Sequence, residues 1–450
     1  MDSKQSFERN IDVSRPINSA AWARFIFGSF VASGVVLLLT LVSGMVTARV
    51  LGPEGRGILA IILTWSGLLT ALVQLPISDA IVLISDPKAK SSVEASGLYI
   101  SRALSILLAL LCGVIMYGAM SGYEAIPVLV ASLFAFSSSM AGIIGDVYRG
   151  ILRSRGRFFA LQAFYVSQPF LYCGLCLLSV FTSPTVNYFV ISQMVSIVLI
   201  FIIRAAIISI PVRELWEWRI AQRLLAVATP LHVSAVVRMF TGQADRFAVV
   251  LIGLPEAVGQ YAVAITLSSL FGGVFSTAIR SVALPALVNR TDAELSRIIL
   301  RVMRLTWLAS IVGTVTTCLF APLAAPLLFG KAFVVAGTLA SYLAIAYLFT
   351  PVKDVLFEAC KLASLNRVII TSHVIFISLF AGVVATQYRY IGIYAVIVAF
   401  FVANSVSLVY VSERLGRLLP AVRIRNWILP TFYTLSECFT IFAAMFGWKR

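Results

Sequence analysis

The chain has 450 residues, 60% of them hydrophobic and only 12% charged, about half the charged share of a soluble globular protein, so a water-soluble fold is excluded. At about 20 apolar residues per bilayer crossing, twelve or thirteen crossings use roughly 240–260 residues and leave no room for a sizeable soluble domain. The formal net charge is +16, but the 35 Lys and Arg are dispersed along the chain instead of forming one soluble face, which argues against nucleic acid as a partner.

Residues 1–20 are polar (Lys4, Glu8, Arg9, Asp12, Arg15) and have neither the apolar core nor the cleavage site of a signal peptide, so the first hydrophobic segment is expected to be retained. Apolar runs predict spans near 25–47, 59–83, 98–119, 126–145, 160–180 and 187–209. Six more follow near 226–252, 259–283, 303–328, 334–357, 368–386 and 391–411. A thirteenth at 427–446 is interrupted by Pro430 and Glu437, and either crosses the membrane or lies in its interface.

Placing alternate loops on opposite sides puts 27 of the 35 Lys and Arg with the N-terminal tail and the even-numbered loops, and five (Arg49, Arg56, Arg246, Lys331, Arg389) on the other side. Because cytoplasmic loops carry the cations, this predicts a cytoplasmic N-terminus. The six cysteines all lie in or beside spans, where a thiol packs as an apolar group. Cys173-Gly-Leu-Cys176 has redox spacing, but without a soluble βαβ setting it is read as helix packing.

The two halves repeat. Arg49-Val-Leu-Gly-Pro-Glu-Gly-Arg-Gly57 links the first two spans of one half, and Leu251-Ile-Gly-Leu-Pro-Glu-Ala-Val-Gly259 links those of the other. Asp146 to Arg157 and Asp354 to Arg367 occupy matching loops after the fourth and tenth spans. An even number of spans per unit gives a parallel repeat about an axis normal to the membrane. The expected fold is therefore an all-α polytopic membrane protein of two six-helix bundles. Residues 1–210 form the N-terminal bundle, 211–225 a linker on the cytoplasmic surface containing Trp216 and Trp218, 226–415 the C-terminal bundle, and 416–450 a basic segment with the thirteenth candidate span.

Four stretches carry a resemblance to a known family: Thr47 to Gly57, the Gly150 to Ala160 region, Ala244-Asp-Arg-Phe247 through Gly259-Gln-Tyr261, and Leu328-Phe-Gly-Lys331. With the six-plus-six layout, the chain resembles the Wzx-type polysaccharide-export flippases of the multidrug, oligosaccharidyl-lipid and polysaccharide transporter superfamily, whose fold is MATE-like. The resemblance implies a V-shaped pair of bundles. It further implies alternating-access movement of a polyprenyl-diphosphate-linked oligosaccharide, amid membrane lipids, with a polysaccharide polymerase and chain-length machinery as partners.

Diphosphate and sugars cannot cross hydrocarbon unaided, so such a protein needs a cation-bearing cavity between its bundles. Arg238, near the middle of the seventh span, is the first candidate, because its guanidinium binds phosphate oxygens bidentately. Arg24 before the first span fits the cavity mouth or a snorkelling position, and Arg49 and Arg246 sit at comparable outer ends of spans 1 and 7, as a receiving site or as solvated loop cations. Asp79, placed near the outer end of span 2, His232 beside Pro230, and Asp245 are candidates for ion coupling; for Asp245 a structural hydrogen bond is favoured. Arg149, Arg153, Arg155 and Arg157 mark either a cytoplasmic entrance or simple positive-inside topology. Tyr261, Tyr165 and Tyr342 would stack sugars if they faced a cavity.

No phosphate-binding Gly-rich loop and no His-Glu-x-x-His occurs, so neither a cofactor nor a metal ion is expected, and direction comes from an ion gradient or substrate consumption. The alternatives are a lipid-linked peptidoglycan-precursor flippase, a drug/cation antiporter, and, from other classes, a membrane polymerase or glycosyltransferase or a scaffold. The short outer loops disfavour the enzyme, and the central charge being Arg238 disfavours the antiporter.

Overall fold

The computed structural model describes residues 19–84, 89–122, 127–182, 184–208, 215–270, 292–363, 365–419, 423 and 427. Among them the chain is all helix in its regular structure, with ten apolar segments of membrane-crossing length. It is a multi-pass membrane protein.

The first segment is two crossings. Helix α1, Ser19–Val73, has 55 residues. Unbroken it would run about 80 Å, far beyond a hydrocarbon core of about 30 Å. It turns at Gly52, whose φ of 67° lies in the left-handed region that glycine tolerates, and Pro53 opens the second arm, where its missing N–H costs nothing.

The first half continues with α2 (Ile77–Leu83), α3 (Lys90–Met120), α4 (Val128–Ser154), α5 (Phe158–Leu178) and α6 (Val186–Ile207). The second half begins with α7 (Trp218–Gly242) and α8 (Ala244–Ile252), which divide the expected seventh span at Gln243, and α9 covers 255–270. Helix α10 (Asp292–Phe329) reaches eleven residues further toward the N-terminus than its apolar run predicts, because buried Ile299 and Met303 continue its packed face among charged positions. Helices α11 (Val334–Tyr347) and α12 (Thr350–Leu362) share the tenth span, and α13 (Asn366–Ile391) and α14 (Tyr394–Leu415) complete the set. The thirteenth candidate span lies outside the described residues except for Trp427, which is buried edge-on to Trp307 at 5.8 Å.

The stretch expected as a linker is described from residue 215. Trp216 stacks on Tyr99 of α3 at 4.3 Å, and from Trp218 onward the chain is part of α7. Ala221, Leu224 and Ala228 form a stripe at helical spacing that is buried with Ile77, Ile81 and Leu98. The opening turns of α7 therefore rest on the first half.

Across the molecule, the two segments singled out as a repeat meet. A Cβ on Gly57 would stand 1.6 Å from the Pro255 carbonyl oxygen, and one on Gly259 would stand 1.9 Å from that of Pro53. The contact is reciprocal and backbone to backbone. Nearby, Arg49 donates from Nε to the Leu328 carbonyl (2.9 Å) and from Nη2 to the Leu327 carbonyl (2.6 Å), capping the otherwise unsatisfied end of α10.

Candidate functional site

Arg238 lies in the seventh span five residues before its break at Gln243, four before the end of α7, and is exposed. It has no ion-pair or hydrogen-bond partner for its guanidinium among the described residues. One turn on, the Thr241 hydroxyl lies 2.9 Å from Nδ1 of buried His373 on α13, and both Arg238 and Lys353 act on that imidazole electrostatically. The Lys353 ammonium is buried, donates to Asn404 Oδ1 on α14, and lies 4.8 Å from the Phe376 ring centroid. The seventh span thus borders a polar cluster drawn from α7, α12 and α13, in which Arg238 and Lys353 are the cations.

Sequence reasoning counted Lys353 as a loop cation and overlooked His373. Helix α12 instead continues past the apolar run, with Val352, Val355, Leu356, Ala359 and Cys360 buried, and carries Lys353 inside. The available signal was that apolar spacing, which extends the helical face beyond residue 357.

The other candidates do not converge on Arg238. Arg24 belongs to the opening turns of α1, outside the residues whose side chains are described. Arg49 is committed to the α10 carbonyls. Arg246 is half-buried and close enough to Tyr347 to interact with it. His232 is half-buried, with Nδ1 enclosed and without a partner.

Asp79 needs correcting. It lies on the same side as Arg153, not the outer end, because the chain enters α2 directly from the second arm of α1 and reaches the basic loops; its carboxylate meets Arg153 Nη1 at 3.2 Å. Asp245 is fully buried and accepts hydrogen bonds from the hydroxyls of Tyr261 (3.0 Å) and Tyr347, pinning α8 to α9 and α11. Tyr261 is consequently buried in this bond and cannot present its ring to a sugar, whereas Tyr165 and Tyr342 are exposed. Tyr347→Phe is expected to cost about 1–3 kcal/mol of stability, since it leaves a buried carboxylate oxygen short of a donor; thermal unfolding in detergent reads this directly.

The basic loop is mostly paired. Arg149 meets Asp146 (3.0 Å), Arg153 meets Asp79, and Arg155 meets buried Glu94 through Nε and Nη2, the latter at 2.6 Å. These bonds stitch the end of α4 to α2 and α3. Arg157 is exposed and has no partner among the described residues. Arg155→Met is expected to destabilise the fold by about 2 kcal/mol, because Glu94 would keep only Ser154 as a donor among the described residues. The check is the unfolding midpoint, with Arg157→Met, which breaks no bond, as the comparison.

The profile of the polysaccharide biosynthesis protein family matches residues 46–337, well over half of the chain and inclusive of Arg238 and the paired turns. The chain belongs to that family. Among solved structures, the lipid II flippase MurJ in its inward closed conformation superposes with a TM-score of 0.69 at 14% identity, covering 93% of this chain and 97% of that one. An inward-facing multidrug resistance MATE transporter of the MOP superfamily gives 0.68 at 18% identity over 85% and 95% of the two chains. A MOP superfamily transporter from Pyrococcus furiosus, whose binding pocket is described as of reverse polarity, gives 0.65 at 17% over 88% and 96%. At these identities the likeness shows the fold, which is that of MATE transporters and MurJ. Compared by sequence with curated proteins, this polysaccharide biosynthesis protein has no match.

Proposed function

We propose that this polysaccharide biosynthesis protein is a bacterial inner-membrane flippase that moves polyprenyl-diphosphate-linked oligosaccharide by alternating access between two six-helix bundles. The single observation that carries the proposal is Arg238, an exposed arginine within a membrane span that has no carboxylate to neutralise it among the described residues. An ionised side chain at that depth is expensive unless it faces water or an anionic ligand, and the planar fork fits phosphate oxygens. Buried Lys353 of the same cluster adds positive character, which disfavours cationic cargo.

In this proposal the N-terminus is cytoplasmic, and the reciprocal approach of Gly57 and Gly259 reflects a pseudo-two-fold relation between bundles at 1–210 and 226–415. Arg149, Arg153 and Arg155 serve mainly as stitching, and Arg157 remains to attract anionic headgroups. Asp79 and Asp245 are held by Arg153 and by two tyrosines, so His232, with its unpaired Nδ1, is the coupling group we propose. Polymerase and chain-length machinery are the proposed partners.

The test is a binding comparison on purified protein in nanodiscs. A short-chain polyprenyl diphosphate should bind more tightly than the matched monophosphate, and tetraphenylphosphonium should not compete. Tetraphenylphosphonium binding tighter than the diphosphate would overturn the proposal in favour of a cation antiporter.

A further inference from the structure

A second site lies in the first half, away from Arg238. In the second arm of α1 and the residue that follows it, Ser66, Gly67, Thr70 and Gln74 fall on one face at spacings of one, three and four residues, and they border a cavity of about 390 Å³ closed by Ser138 of α4 and Gln193 of α6. No charged side chain lines it. The Ser66 and Ser138 hydroxyls are 2.6 Å apart, and Thr70 bonds the Ser139 hydroxyl at 3.0 Å, so the hydroxyls are held in fixed positions. Gln193 Oε1 is enclosed and has no partner. Phe134, Leu63 and Ala71 supply its apolar walls, and Gly67 is exposed, leaving the cavity open on one side.

So many neutral polar groups at membrane depth belong against water or a polar ligand, not lipid. The volume is about thirteen times the roughly 30 Å³ share of one water, far more than a bare monovalent cation needs, and falls in the range of about 300–1,000 Å³ usual for small-molecule sites. A ligand matched to hydroxyls, amides and apolar walls, one of them aromatic, is itself neutral, rich in hydroxyls and faced with C–H groups.

We infer that this cavity binds a pyranose ring of the transported headgroup, so that recognition is divided between a neutral sugar site on α1, α4 and α6 and a cationic site at Arg238. The inference rests on the flippase proposal for the identity of the ligand but is tested without transport. Gln193 supplies the free acceptor for a sugar hydroxyl, Ser66 and Thr70 exchange their bonds to Ser138 and Ser139 for bonds to the ligand, and Gly67 keeps the mouth open.

The experiment is saturation-transfer NMR on purified protein in nanodiscs with a panel of methyl pyranosides: glucose, galactose, mannose, rhamnose and N-acetylglucosamine. A Cβ on Gly67 meets no atom within 4 Å, so Gly67→Leu fills the cavity without disturbing the helix. Gln193→Leu removes the unpaired acceptor and is compatible with a membrane helix in its own right. At least one pyranoside should bind at millimolar concentration, weakened tenfold or more in both variants and unchanged in Arg238→Ala. No binding by any member of the panel, or equal binding in Gly67→Leu, overturns the inference. Sodium stabilisation that is lost in both variants, with no pyranoside bound, reassigns the cavity to a cation. Because Arg238→Ala is scored separately with polyprenyl diphosphate, failure of the diphosphate site leaves this result standing, and the converse holds too.

Discussion

Gly57→Ala is expected to destabilise the protein by about 3 kcal/mol, and Gly259→Ala by a similar amount, although each adds one methyl group. The added Cβ would lie 1.6 Å from the Pro255 oxygen in the first case and 1.9 Å from the Pro53 oxygen in the second, about half an ordinary contact distance. Neither obstacle is a flexible side chain. Both are backbone at the start of a helix, so the two turns must separate, and the Arg49 bonds to Leu327 and Leu328 nearby would be strained with them. Since one separation relieves both overlaps, the double variant should cost clearly less than the sum of the singles. Unfolding in detergent under increasing denaturant checks this; singles within about 0.5 kcal/mol of wild type, or additive losses, would mean that the turns do not meet as described.

Arg238→Ala carries the second large effect, on function and not on folding. Its guanidinium satisfies no group among the described residues, so removing it should leave the unfolding midpoint unchanged or raised, because an unneutralised charge at membrane depth is itself costly. Loss of a charge-assisted, bidentate contact to diphosphate should weaken binding by about 2–4 kcal/mol, roughly 30- to 700-fold. Arg238→Lys should recover part of this, since the ammonium keeps the charge but not the fork. A variant that is less stable and binds normally would assign Arg238 to structure.

The spans were legible because lipid leaves the backbone so few solutions: runs such as 128–154 and 394–415 must be helices wherever they lie. The turn at Gly52-Pro53 was legible as part of a repeat, and its counterpart before Gly259 is what it touches. Lys353 was not legible. Its Asn404 partner is 51 residues away, and a local count of charges takes any lysine near the end of an apolar run for a loop residue. Asp79 failed for a related reason, as the end of a span was assigned without following which arm of α1 led to it. The sugar cavity escaped because its lining residues are neutral; Ser66, Thr70 and Gln74 carry no charge to mark them, and only their common helix face gives them away.

Movement of the headgroup between leaflets tests the central claim most directly. Purified wild-type protein and Arg238→Ala would be reconstituted into vesicles holding a fluorescent polyprenyl-diphosphate oligosaccharide, and exposure of the headgroup to an added membrane-impermeant quencher followed in time, with and without an imposed ion gradient. The flippase account predicts exchange of the protected headgroups in wild-type vesicles and at least a thirtyfold slower exchange with the folded variant, about the effect of 2 kcal/mol. Wild-type exchange no faster than in protein-free vesicles under every gradient, or equal exchange in the two proteins, would contradict it.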